Sequence, residues 1–443
     1  MKMTNISTRF KWIGVTVFLA MFQTVSAQQE LTLKQAIDFA LKNKADAQKA
    51  KLEVQRGDLK IKEAKAGALP QISASGGVQY NAIIQETALE MNDQLMVIKM
   101  GQPWNTSGSL SVYQALFDQR VFTGLKAAKS TREFYQINAQ LTNEQVIERV
   151  ATAYYQVFVT SQKLENIDAS YENTNKVKNI IQSLYDNGLA KEIDLDRTKV
   201  GLVNIQSGRQ QILNAVQLQE NALKFYMGMP IETPIKLVGE DVKINEFLLE
   251  DKFDYTKRTE VAAVLKRKEL LGYNLEATKS ALYPTVGLAA NYGVNGFGKN
   301  NPFHNSTYWS NVANIALQVK IPIFTGGATK SKIEQAQLDI DALDIDIKDM
   351  ILGLDLEYNN AKTQIENLIV NLKNQEENVG LAKKVFNNTQ ANYQHGLANL
   401  TEVLDAEQAY TEAKNNYSNV LLEYKVAEVA LLKAKGEINT ISQ

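Results

Sequence analysis

Along most of this chain, apolar residues recur at the three-then-four spacing of packed helices. From Val403 the spacing holds through Ala406, Tyr410, Ala413, Tyr417, Val420, Tyr424, Ala427, Leu431 and Ala434. About 208 residues earlier the same register reads Leu195, Thr198, Leu202, Ile205, Arg209, Ile212, Val216, Gln219, Leu223 and Tyr226. A third run starts at Ile333, slips phase once after Leu354 and resumes at Tyr358. A sustained 3.5-residue period predicts helices lying side by side with knobs in holes. It places helices at roughly 32–68, 124–186, 192–227, 256–282, 327–394 and 398–436. At 1.5 Å per residue the two long ones reach on the order of 95–100 Å. Each pair of short helices sums to about one long helix, so stacked short helices can flank a continuous one in a tube wall.

Two regions change period from 3.5 to 2. Ile72, Ala74, Gly76, Val78 and Tyr80 alternate with Ser73, Ser75, Gly77, Gln79 and Asn81, and Leu110, Val112 and Leu116 continue the pattern after a loop of about 25 residues. Val286, Leu288, Ala290, Tyr292 and Val294 form a second apolar row, answered by Ala313, Ile315, Leu317, Val319, Ile321 and Ile323. Two β-hairpins follow, at 70–117 and 284–324. Strands of about 10 residues with one apolar side suit a transmembrane barrel. A soluble antiparallel sheet with one wet face alternates in the same way. Aromatic residues at the strand ends (Tyr80, Trp104, Tyr292, Trp309, Phe324) and the lack of helices to cover the sheet favour the membrane. Four strands cannot close a barrel, and an open edge in lipid leaves backbone groups unpaired. Two copies would give eight strands and a filled interior, whereas three would give twelve and room for a conduit, so a homotrimer is expected.

The two regions belong to a duplication. Tyr185-Asp186-Asn187-Gly188-Leu189-Ala190 returns as Tyr393-Gln394-His395-Gly396-Leu397-Ala398. Leu69-Pro70 before one alternating stretch matches Tyr283-Pro284 before the other. Leu116-Phe117, then Thr123-Gly124 and a helix, matches Ile323-Phe324, then Thr325-Gly326 and a helix. The chain therefore divides into 1–27, a first repeat at 28–228, a linker at 229–255 and a second repeat at 256–443. Each repeat runs helix, β-hairpin, long helix, helix.

Residues 1–27 have the make-up of a cleaved signal peptide. Lys2, Arg9 and Lys11 precede an apolar stretch from Trp12 to Phe22, and Val25-Ser26-Ala27 offers the small residues a signal peptidase needs. Without them the chain carries 45 basic against 49 acidic residues, a balance that gives no reason to expect nucleic acid as a partner. Absence of cysteine means no disulfides and no lipidated Cys. No later apolar run approaches the roughly 20 residues of a membrane-spanning helix.

A signal peptide, duplicated helix–hairpin–helix halves and Gly-Leu-Ala turns together resemble the TolC family of outer-membrane channel proteins. Family-like stretches are Leu31-Thr32-Leu33-Lys34-Gln35-Ala36-Ile37, Ala66-Gly67-Ala68-Leu69-Pro70 and the segment from Tyr393 to Glu407. The resemblance covers the whole mature chain and rests on the order and spacing of these stretches. It implies mixed α and transmembrane β structure. Three chains would build a 12-stranded β-barrel in the outer membrane, continuous with a long periplasmic α-helical barrel and belted near 229–255. It also implies a passive exit duct for efflux or type I secretion, fed by an inner-membrane pump through a periplasmic adaptor.

The resemblance assigns residues as well. The turns Gly188, Leu189, Ala190 and Gly396, Leu397, Ala398 would be the helix tips that meet the adaptor. Glycine there also has a simpler role, taking the left-handed position that ends a helix. Glu402 and Asp405 would form an acidic ring at the pore constriction, although acids three apart in a first turn also favour a helix N-terminus. Asp194 and Tyr393 are candidates for closing the tip. The family's basic closing partner is missing, since Ala398 stands where an Arg would. Two histidines, His304 and His395, and no cysteine leave no catalytic, metal or cofactor site to expect. The alternative from another class is an outer-membrane-linked coiled-coil scaffold or adhesin without a pore.

Overall fold

A computed structural model describes residues 29–91, 94–238, 253–301 and 307–442. The expected signal peptide at 1–27, the linker's residues 239–252 and the loop holding Pro302 and His304 lie outside the described residues. The helices are α1 Leu33–Asn43, α2 Ala45–Ala66, α3 Gln119–Asp186, α4 Glu192–Met227, α5 Thr259–Lys279, α6 Ala328–Gln394 and α7 Leu400–Ala434. The strands are β1 Gln29–Leu31, β2 Gln71–Tyr80, β3 Glu86–Met91, β4 Gln94–Lys99, β5 Trp104–Phe117, β6 Ile235–Leu237, β7 Thr285–Gly298 and β8 Tyr308–Lys320. The chain forms two compact units: the described residues of Met1–Lys49, Gln140–Thr259 and Leu352–Gln443, and those of Ala50–Ala139 and Glu260–Ile351.

The second unit holds a four-stranded antiparallel sheet in the order β2-β5-β7-β8, to which each half of the chain gives one hairpin. Cross-strand register puts like with like. Ile72 pairs with Val112, Val112 with Ala290 and Ala290 with Ile315, all on one face. One residue along, Ser73, Ser111, Asn291 and Asn314 form a polar row on the other face. Ser75 and Ser109 hydroxyls meet at 2.8 Å, and Asn291 Nδ2 donates to Asn314 Oδ1 at 3.2 Å. These four strands contain no Asp, Glu or Arg, and Lys320 is at the last position of β8. The apolar face is left open by the chain itself: Ile315 is 78% and Ile72 68% exposed.

The first unit is built on helix packing. Ile37 and Ala40 of α1, Ile147, Val150 and Val157 of α3, and Leu223 and Met227 of α4 form its largest apolar cluster. β1 and β6 pair in parallel beside it. Tyr154, buried in this cluster, donates its hydroxyl to the carbonyls of Leu31 (3.0 Å) and Val238 (2.8 Å), which ties α3 to that short sheet.

Four sequence expectations need correction. The helix expected at 32–68 breaks at Lys44, whose backbone is extended. The break lets the Lys44 ammonium reach the Phe225 carbonyl at 3.1 Å and lie 3.8 Å over the Phe225 ring. The loop of about 25 residues in the first hairpin contains a second hairpin, β3–β4, whose two faces both carry apolar side chains and so hide the alternation. Ile321 and Ile323 lie beyond β8, because Pro322 has no N–H to donate to a ladder. Gly124 is not a turn residue like Gly326. α3 already starts at Gln119, where Asp118 accepts the Arg120 backbone N–H at 2.9 Å.

Candidate functional site

The two helix–turn–helix ends fold in the same way. Gly188 and Gly396 have φ of 72° and 74°, a left-handed backbone that glycine adopts without a Cβ penalty. Leu189 N–H donates to the Leu184 carbonyl at 2.7 Å and Gly188 N–H to Tyr185 at 2.8 Å. The second turn repeats this, Leu397 to Asn392 at 2.8 Å and Gly396 to Tyr393 at 3.0 Å. These paired bonds satisfy the last carbonyls of α3 and α6. They also turn the next leucine outward, so that Leu189 is 76% and Leu397 77% exposed. Ala190 and Ala398 follow half-buried.

Below the turns, the two helical hairpins share one apolar cluster. Val177 and Ile181 of α3, Leu195 of α4, Phe386 of α6, and Leu400 and Val403 of α7 are all buried in it. Phe386 stacks on Tyr410 with ring centroids 6.0 Å apart. At the edge of this cluster Tyr393 and Asp194 come near one another: burial first, and then the Asp194 charge, push the Tyr393 phenol up. The two closure candidates are therefore neighbours within one chain.

Sequence reading missed the basic group beside them. Arg197 lies one turn after Asp194, 3.9 Å from its carboxylate, and its Nη1 donates to Thr401 Oγ1 at 3.2 Å. A basic group thus stands beside Asp194 on α4 itself. Its three-residue spacing from Asp194 was the available signal.

Glu402 and Asp405 begin α7, and both are exposed. Glu402 has a local role: Asn399 Oδ1 accepts the Glu402 N–H at 3.0 Å, and the Glu402 carboxylate accepts from the Asn399 backbone N–H at 3.2 Å and from its Nδ2 at 3.0 Å. This reciprocal box caps the helix. Asp405 stands one turn further on. Glu407, absent from the apolar register, is buried between α7 and α3. It accepts from Thr411 Oγ1 at 3.1 Å and from the Ser170 hydroxyl, and burial pushes its carboxyl up against those bonds and the Lys414 charge. Burial pulls Lys414 down, with Glu407 opposing and Lys383 assisting. Among the described residues, no three His, Asp or Glu side chains cluster as a metal site would require.

The protein-family description "Outer membrane efflux protein" matches residues 36–229 and 256–437. The outer membrane protein TolC of Vibrio cholerae is 21% identical over 86% of this chain and 84% of its own length. The proteases secretion protein PrtF of Dickeya chrysanthemi is 19% identical over 97% of this chain and 93% of its own. The crystal structure of the outer membrane protein VceC from Vibrio cholerae superposes with a TM-score of 0.70 at 19% identity, covering 91% of this chain and 96% of that one. Both halves of the chain fall within the matched segments, and the fold is shared nearly end to end. The chain belongs to the outer membrane efflux protein family.

Proposed function

We propose that three copies of this chain form the outer-membrane exit duct of a tripartite efflux or type I secretion system. One observation carries the reading: a four-stranded sheet with an apolar face, an almost uncharged polar face and two open edges. Such a sheet is stable in lipid only when its edges are paired. Three sheets give twelve strands, with the serine and asparagine rows lining the lumen and the isoleucine rows meeting lipid.

In this reading the helical barrel stands in the periplasm, and the exposed Leu189 and Leu397 turns meet a periplasmic adaptor, with an inner-membrane pump behind it. Glu402 and Asp405 form the acidic ring at the narrow end. Asp194, Tyr393, Arg197 and Thr401 hold the resting tip. The duct makes and breaks no covalent bonds, since its work is to provide a continuous path. Native mass spectrometry of detergent-extracted protein tests the assembly. Three copies are expected, and a stable single chain would refute the closed barrel.

A further inference from the structure

We infer that the groove between α2 and α3, at the end of the sheet, binds the headgroup of a zwitterionic phospholipid with a primary ammonium, as in phosphatidylethanolamine. This rests on the membrane-spanning sheet of the reading above. α2 runs towards β2, and α3 runs away from β5. The two helices touch at Gly57, where a Cβ would lie 2.9 Å from the Arg132 Cα. Nearer the sheet small residues line both sides, Ala64 and Gly67 on α2 and Gly124 and Ala128 on α3, around a groove of about 630 Å³. That volume suits a small-molecule ligand. A Cβ on Gly124 would meet nothing within 4 Å, so the space reaches the helix backbone. Both stretches belong to the compact unit that holds the sheet.

The groove lies at the depth of the headgroups. Asp118, in its lining, directly follows Phe117, the last residue of β5, and Arg120 stands two positions further on. Along α2, Glu63 and Lys60 are about 5 and 9 Å from the last residue of the helix. A headgroup layer is roughly 5–8 Å thick on each side of the hydrocarbon. The apolar face of the sheet leads up to this point. A register shift between Ala115 and Phe117 sets Phe117 opposite Val286, in the apolar row of Leu288 and Ala290. Phe117 and Leu69 are exposed there. A lipid whose acyl chains lie on that face has its headgroup beside Asp118.

Charge selects the headgroup. Two cations and two carboxylates share the groove. Lys60 Nζ lies 3.1 Å from Glu63 Oε2, and the Arg120 guanidinium donates to the two Asp118 oxygens at 3.0 and 2.7 Å. These bonds use one of the three lysine donors and two of the five arginine donors. The remaining donors suit phosphate oxygens, and the remaining carboxylate lone pairs suit N–H groups. A phosphodiester without a cation would leave its charge facing the two acids. Phosphate and ammonium on one short headgroup answer both signs. A primary ammonium donates three hydrogen bonds, whereas the trimethylated ammonium of a choline lipid donates none. Among the described lining residues there is no aromatic ring, the usual partner of a trimethylammonium. The groove therefore separates two lipids of equal net charge.

Native mass spectrometry of the full-length protein tests the site, with phosphatidylethanolamine, phosphatidylcholine and phosphatidylglycerol offered at equal concentration. Phosphatidylethanolamine should be retained at up to one molecule per copy, about tenfold better than either of the others. Gly124→Leu fills the groove and favours the helix, so it should keep three copies and lose that preference. Equal retention of the three lipids, a preference for phosphatidylglycerol, or an unchanged preference in Gly124→Leu would refute the site. The same spectrum reads the assembly separately. Three copies without a lipid preference refute the groove alone, and a single copy refutes the closed barrel whatever lipid it carries. Should Gly124→Leu fail to reach the membrane, Lys60→Ala with Glu63→Ala decides, because this exposed pair contributes little to stability. The preference for phosphatidylethanolamine should then fall about tenfold, and an unchanged preference would refute the site.

Discussion

Arg197 Nη1 donates to Thr401 Oγ1 across 3.2 Å, joining the second turn of α4 to the first turn of α7 near the tips of the two helical hairpins. In a duct that rests closed, such a bond resists separation of the hairpins. Arg197→Ala should raise single-channel conductance, and so should Thr401→Val. The double variant should do no more than either alone, because both remove one bond. Additive effects would show that the two residues act separately. Melting temperature should barely move, since exposed polar pairs contribute about 0–1 kcal/mol.

Leu189 and Leu397 expose apolar side chains that nothing in their own turns requires. Leu189→Asp with Leu397→Asp should abolish cargo export while leaving trimer formation and membrane insertion intact. Export at the wild-type level would remove the tips from the adaptor contact.

The acidic ring can be tested without disturbing the fold if the cap is respected. Glu402→Ala would lose the reciprocal bonds with Asn399 and cost about 1 kcal/mol. Glu402→Gln keeps a capping group and removes the charge, and Asp405→Asn does the same one turn on. The Gln/Asn double variant should shift the reversal potential across a salt gradient away from cation selectivity. Coinciding reversal potentials would exclude these carboxylates from the pore wall.

How much of this was legible in the sequence depends on how locally each feature is set. The Gly-Leu-Ala turns were legible because glycine's left-handed backbone leaves a residue-level mark, and both turns carry it. Strand alternation was legible wherever one face is apolar and the other polar, as from Ile72 to Tyr80. It failed between Glu86 and Lys99, where Leu89, Leu95, Met96 and Val97 put apolar groups on both faces. The break at Lys44 was hidden because the contact it permits, with the Phe225 ring and carbonyl, is a tertiary one to α4. Arg197 escaped notice because family likeness directs attention to position 398, whereas this basic group stands beside Asp194 on α4 itself.

Glu407 should make stability depend on pH. Burial raises its carboxyl above the ordinary 4.5, so its contribution is fully present below that value and is lost as pH rises through the folded-state value. The gain in melting temperature of Glu407→Gln over wild type should therefore grow as pH climbs from below 4.5 and then level off. A difference independent of pH would mean that the group does not titrate differently in the folded state.

The exit-duct reading meets its most direct test in single-channel current from purified protein in a planar bilayer. Three closed sheets around a common lumen should give discrete current steps, small for wild type and larger once Arg197 is replaced by alanine. Protein that inserts as a trimer, yet leaves the current flat for both chains, would contradict a continuous path and point to a scaffold.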